Sequence, residues 1–153
     1  MNSTVRRAVG TITIAGMAAG VLDLCAALIT NVWRGGKPSR IIQAIASGIL
    51  GSSAFNGGWR TVAFGVLLHF VIAIGAATVY YIASRLIRFM VRIPWVAGPV
   101  FGVLVYFFMN LVVLPLSAVP FKVSFRPALL ITGLIVHILC VGLPIALVVN
   151  RRS

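Results

Sequence analysis

Apolar residues run almost unbroken through four stretches of the chain, at positions 9–30, 61–84, 96–117 and 128–149. Each is close to the 20 or so residues that an α-helix needs to cross a hydrocarbon core. The basic residues punctuate these stretches. Arg6 and Arg7 precede the first, and Arg34 follows it. Arg60 precedes the second, and Arg85, Arg88 and Arg92 follow it. Lys122 and Arg126 separate the third from the fourth, and Arg151 and Arg152 end it. Trp33, Trp59 and Trp95 fall at the span ends, where amphipathic rings settle at the membrane–water interface. The pattern predicts an all-α, integral membrane four-helix bundle, a single transmembrane domain over residues 1–153. Both termini then lie on one face, side A, and the loops 31–60 and 118–127 on the other, side B.

A fifth, shorter periodicity lies between the first two spans. Pro38-Ser39 is a helix-start signal, and Gly51 is a plausible stop. Between them Ile41, Ile42, Ile45, Ile49 and Leu50 recur at helical spacing, with Arg40, Gln43 and Ser47 on other faces. Some 12 residues, about 39–50, are too few to cross, so they predict an interfacial or re-entrant helix. The expected arrangement is a helix lying in the headgroups. The sharper alternative is a lid that dips toward a site.

Composition agrees with the pattern and narrows the function. Apolar residues make up 61% of the chain, mean hydropathy is +1.12, and charged residues are 9% against about a quarter in soluble domains. A soluble globular domain and a disordered chain are both excluded. The net charge of +12 comes from 13 basic residues against one acid. They sit at span ends, which makes a cationic membrane rim and not a nucleic-acid surface. Eleven of the 13 are Arg, which suits bidentate contacts to lipid phosphates; Arg85, Arg88, Arg92, Arg40 and Arg60 are candidates for contact with anionic headgroups. Seven basic residues fall on side A and six on side B, so charge bias alone leaves orientation open. The first helix usually dominates, which places side A in the cytoplasm. The first span is longer than the 7–15 residues of a signal-peptide core, and is expected to be retained. There is no phosphate-cradling glycine loop, no Cys-x-x-Cys pair and no second carboxylate, so most hydrolase and kinase chemistry lacks its residues. Cys25 and Cys140 fall about 10 Å apart along the bundle axis, beyond the 7 Å a disulfide allows, and are expected to be buried free thiols.

The candidate chemistry is a polar layer inside the spans. An ionisable group within a transmembrane segment is costly, and is a functional hypothesis by default. Each span carries one such group or a strong polar one: Asp23, His69, Asn110 and His137. Counted from the side-B end of each span, all four fall at one depth, roughly 10–14 Å in. Each shares its helix face with small residues, which mark helix–helix packing in lipid. Gly16 and Gly20 share the Asp23 face, and Gly98 and Gly102 the Asn110 face; each pair closes the bundle or offers a homo-oligomer face. Both histidines follow a glycine by four positions, at Gly65 and Gly133, the signature of a two-helix duplication.

Three readings of this layer follow. The first is structural: Asp23 accepts from a histidine ring, Asn110 fills the remaining valences, and the cluster fixes register in a structural or accessory membrane component. The second is a proton relay in a small proton-coupled transporter, since histidine titrates near neutrality beside the carboxylate. The third is a metal or haem held by His69, His137 and Asp23, a donor set known for first-row metals and haem iron. The layer is not expected to be catalytic.

At Arg40-Ile-Ile-Gln-Ala-Ile-Ala-Ser-Gly-Ile-Leu-Gly51, Leu68-His69-Phe70 and Pro115-Leu116-Ser117 the chain resembles small, uncharacterised bacterial inner-membrane proteins with four helices. The resemblance implies a multi-pass inner-membrane protein and carries no activity with it. A looser similarity connects it to small multidrug resistance transporters: four short helices, a carboxylate in the first, and near-balanced charge. Those carry Glu where this chain has Asp23, and have nothing like residues 38–59 or the two histidines.

Overall fold

Long apolar runs bounded by basic residues and interfacial tryptophans form helices because, in lipid, only a continuous helix satisfies its own backbone. The structure is a computed structural model, and it describes residues 2–122 and 124–152. Its elements are α1 (Ser3–Val32), α2 (Pro38–Leu50), α3 (Gly58–Leu86), α4 (Phe89–Arg92), α5 (Pro94–Leu116) and α6 (Pro127–Arg152). There is no strand among the described residues. The helices α1, α3, α5 and α6 are long and apolar enough to span a membrane, as the hydropathy pattern predicts. Trp33, Trp59 and Trp95 are exposed at helix ends.

The four spans do not pack as a closed square. Helix α1 packs along α3 on one side and α6 on the other, and α6 packs along α5. The glycines make the approaches close. A Cβ at Gly16 would stand 2.7 Å from the Ile74 Cα of α3, and one at Gly20 would stand 2.8 Å from the Phe70 ring. A Cβ at Gly98 would stand 2.9 Å from the Leu143 Cα, and one at Gly102 would stand 2.8 Å from the Ile138 Cα, both in α6. Both glycine pairs are therefore covered by helices of the same chain. The expectation that either offers a face for a second copy is corrected: small residues drew in the nearest helix, which is intramolecular.

Side A is the packed end. Ala15, Ala19, Ala77, Tyr80, Ala97, Phe101, Val141, Ile145, Ala146 and Val149 form the core there. The Tyr80 ring meets Phe101 edge-on at 5.0 Å, which joins α3 to α5. Its buried hydroxyl donates to the Met90 carbonyl of α4 at 2.9 Å, and Asn150 donates to the Val91 carbonyl at 2.6 Å. The short α4 thus straps α3, α5 and α6 together. Toward side B, α3 and α5 lose this contact, and α2 lies against α3 in the gap.

Helix α2 turns polar as well as apolar side chains toward the protein. Its buried residues are Ile42, Gln43, Ala46 and Ser47, while Ile49 is 60% exposed and Leu50 39%. Polar side chains thus face the protein, and part of the isoleucine face is turned outward. Two contacts explain the choice. Gln43 Nε2 donates to the Gly58 carbonyl and the Thr61 hydroxyl, both at 3.2 Å, at the start of α3. The Ile42 carbonyl meets Gly65, where any Cβ would collide with it. An outward isoleucine face costs nothing when the surroundings are hydrocarbon. The helix ends where expected, at Gly51 with φ +60°.

Two wide turns interrupt the last two spans. Residues Met109–Val113 of α5 and His137–Gly142 of α6 are π-helical. Each segment is followed by the dipeptide Leu-Pro, Leu114-Pro115 in one and Leu143-Pro144 in the other. A proline ring collides with the carbonyl four residues back and leaves it without its usual donor. A widened turn before each proline relieves that collision, and such turns often mark functional sites.

Candidate functional site

Asp23, His69, Asn110 and His137 line one cavity of about 400 Å³ in the half of the bundle facing side B. The remaining wall is largely aliphatic: Ala19 and Ala27 of α1, Ile72, Ala73 and Ala76 of α3, and Val105 of α5. Ile41 and Ile45 of α2 close part of it, with Ser124 from the loop before α6. The splay of α3 from α5 creates this space.

The four polar groups do not bond to one another. His69 Nε2–H donates to the Gly20 carbonyl of α1 at 2.9 Å and lies 4.0 Å from the Asp23 carboxylate. Gly20 itself makes room for the Phe70 ring and Ala73 of α3, which brings α3 close to α1 at this level. His137 Nδ1–H donates to the Gly133 carbonyl of its own helix at 3.0 Å. Asn110 Nδ2–H donates to the Tyr106 carbonyl at 2.8 Å, and the Tyr106 ring meets His137 edge-on at 5.3 Å. The expected hydrogen-bonded cluster is corrected on this point. Backbone carbonyls one turn away, or on the neighbouring helix, are nearer partners than side chains across a cavity. The glycine preceding each histidine also has two different uses: Gly133 receives the Tyr106 ring, while Gly65 receives α2.

Each histidine thus spends a ring N–H on a backbone carbonyl, as Asn110 does one of its two amide N–H groups, and the acceptors of these residues remain. With each imidazole neutral and one ring nitrogen donating, the other ring nitrogen offers a lone pair. His69 Nδ1, His137 Nε2, the Asn110 carbonyl and the Asp23 carboxylate are all acceptors. The carboxylate makes no hydrogen bond among the described residues, and its side chain keeps 18% of its surface accessible. It is the one formal negative charge in the chain.

The three-ligand metal reading finds no support. Among the described residues no three His, Cys, Asp or Glu side chains lie close enough to hold a metal ion. Cys25 is exposed on the outer face of α1, which corrects the expectation that it is buried; Cys140 is partly buried, and both are free thiols. Of the candidate lipid-facing arginines, Arg40 stacks over the Phe55 ring at 5.3 Å and Arg85 over the Tyr81 ring at 4.5 Å, while Arg60, Arg88 and Arg92 are exposed.

A second space adjoins the cavity. It is a groove of about 480 Å³ between α2, α3 and α5, lined by aliphatic residues such as Leu68, Val113 and Ile49. The two share Ile41, Ile45, Ile72, Met109 and Leu114 as a common wall. Sequence reasoning located the four polar residues but not the π-helical turns, whose signal is the repeated Leu-Pro at 114–115 and 143–144. No family model, curated protein or solved structure matches this chain.

Proposed function

We propose that this multi-pass membrane protein is a small transporter whose cavity takes up a compact cation carrying N–H donors, in exchange with protons at Asp23. The observation that carries the reading is the set of acceptors in the lining: four polar residues from four spans face one space, with both histidine N–H groups and one of the two Asn110 N–H groups already occupied. A carboxylate in such a site binds either a proton or a cation, and each displaces the other. The packed side-A end and the cavity facing side B are what one conformation of an alternating-access protein requires. A purely structural role for the layer would leave the Asp23 carboxylate with no hydrogen bond among the described residues, and only the His69 ring nitrogen at 4.0 Å beside it.

The test uses the full chain, purified in detergent and in proteoliposomes. Ethylammonium is the probe, and tetramethylammonium, which has the charge but no N–H donor, is the control. Ethylammonium is expected to bind with release of protons into weakly buffered solution and, down its gradient into liposomes, to drive an equal efflux of protons, read as a change in lumenal pH without net charge movement. Tetramethylammonium should bind at least about tenfold more weakly, because a donor to an ionised acceptor is worth roughly 1.5–3 kcal/mol. Asp23→Asn should abolish proton release. Equal binding of both cations, or an Asp23→Asn protein that behaves as wild type, would refute the reading.

A further inference from the structure

At the opposite end of the molecule from the cavity, three arginines line one space with no acidic side chain beside them among the described residues. Arg7 lies near the start of α1, Arg85 in the last turn of α3 and Arg152 at the end of α6. Together with Thr4 and Tyr81 they line a pocket of about 390 Å³. Asp23, the one acid of the chain, sits sixteen residues further along α1, about 24 Å away. The C-terminal ends of α3 and α6 each offset roughly half a charge, and the N-terminal end of α1 adds about as much back. The pocket is left with more than two positive charges facing one space.

Its groups are also arranged. Arg85 Nη2–H donates to the Tyr81 hydroxyl oxygen at 2.9 Å while the guanidinium stacks 4.5 Å above the Tyr81 ring. That holds the planar fork in place before any ligand arrives, and leaves the Tyr81 O–H, like that of Thr4, free to donate. Every polar side chain lining the pocket is thus a donor or can act as one.

We propose that Arg7, Arg85 and Arg152, with Tyr81 and Thr4, form a binding site for the phosphate group of an anionic phospholipid. Phosphate fits the set because it accepts on every oxygen, and because a guanidinium engages two of those oxygens at once. The lipid is the favoured source because the pocket lies between the ends of spanning helices, at the depth of the headgroups. Basic pockets between transmembrane helices recognise such headgroups. The site does not depend on the transport reading of the cavity.

The test is native mass spectrometry of the full chain in detergent, titrated with phosphatidylglycerol. Phosphatidylcholine serves as the neutral lipid and inorganic phosphate as the soluble anion. Wild type is expected to hold one phosphatidylglycerol at least about tenfold more tightly than phosphatidylcholine, a preference read without any substitution. Substituting Arg7→Gln, Arg85→Gln and Arg152→Gln together should erase that preference. Removing the same charge on side B, with Lys37→Gln, Lys122→Gln and Arg126→Gln, should leave it within about threefold of wild type. Arg85→Lys keeps the charge but loses the fork and the stacking, and should weaken binding by several-fold. Equal losses from the two triple variants, or no discrimination between the two lipids, would overturn the proposal. Displacement of the lipid by equimolar inorganic phosphate would overturn the lipid assignment.

Discussion

Replacing Gly142 by alanine tests the packing that shapes the whole bundle. A Cβ there would collide with the Gly98 carbonyl oxygen of α5, and would stand 2.5 Å from the Gly102 nitrogen and 2.8 Å from its Cα. All three are backbone atoms, so no side chain can rotate away; the helices themselves must part. Overpacking of this kind costs about 1–3 kcal/mol, and loss of the close α5–α6 approach adds to it. Alanine also restores helix propensity worth up to about 1 kcal/mol, which partly offsets the loss. Two other glycines calibrate the result. At Gly98 the nearest atoms would be at 2.9–3.0 Å, so a smaller loss is expected. At Gly75 nothing lies within 4 Å, so only the propensity gain remains. The expected order of stability is Gly75→Ala at or above wild type, then Gly98→Ala, then Gly142→Ala, spread over roughly 2–4 kcal/mol. Denaturant or thermal unfolding in one detergent, followed by circular dichroism, reads that order directly. If Gly142→Ala unfolds with Gly75→Ala, α5 and α6 do not meet through these glycines and the argument fails.

Two further outcomes follow from the elements around the cavity. Gln43→Ala removes the two hydrogen bonds that tie α2 to the start of α3, and should cost about 1 kcal/mol. Faster amide exchange or proteolysis confined to residues 38–57 is expected, and unchanged exchange there would show that α2 is held otherwise. Pro144→Ala restores a backbone donor and removes a ring clash, so the π-helical turn at His137–Gly142 should relax toward α-helix. A spin label or cysteine reporter on residues 127–136 should then shift relative to α5, and the same geometry before and after would separate the wide turn from the proline.

Much of the architecture is legible because the membrane imposes it. Span number, span ends and the tryptophan positions follow from length, hydropathy and charge, since a bilayer leaves few alternatives to a continuous helix. That Asp23, His69, Asn110 and His137 line one cavity is consistent with counting helical rise along the spans. What they do with their hydrogen bonds is not legible. A histidine four residues after a glycine reads identically at positions 69 and 137, yet one ring reaches across to Gly20 and the other folds back on Gly133. The choice depends on which helix lies opposite, and one sequence does not carry that. The glycine pairs were ambiguous on the same ground, because a face of small residues invites any helix, from the same chain or another.

The helix at Pro38–Leu50 shows where the logic of soluble proteins misleads. An isoleucine stripe facing away from glutamine and serine reads as an apolar face directed at a core. Next to a bilayer the hydrocarbon is outside, so an apolar face is satisfied on either side, and the polar face decides. Gln43 and Ser47 have fewer places to go: Gln43 finds the Gly58 carbonyl and the Thr61 hydroxyl, and Ser47 bonds back to the Ala44 carbonyl. With α2 held by those contacts, Ile41 and Ile45 lie against both the polar cavity and the aliphatic groove. The helix that Gln43 holds in place thereby supplies part of the wall around Asp23.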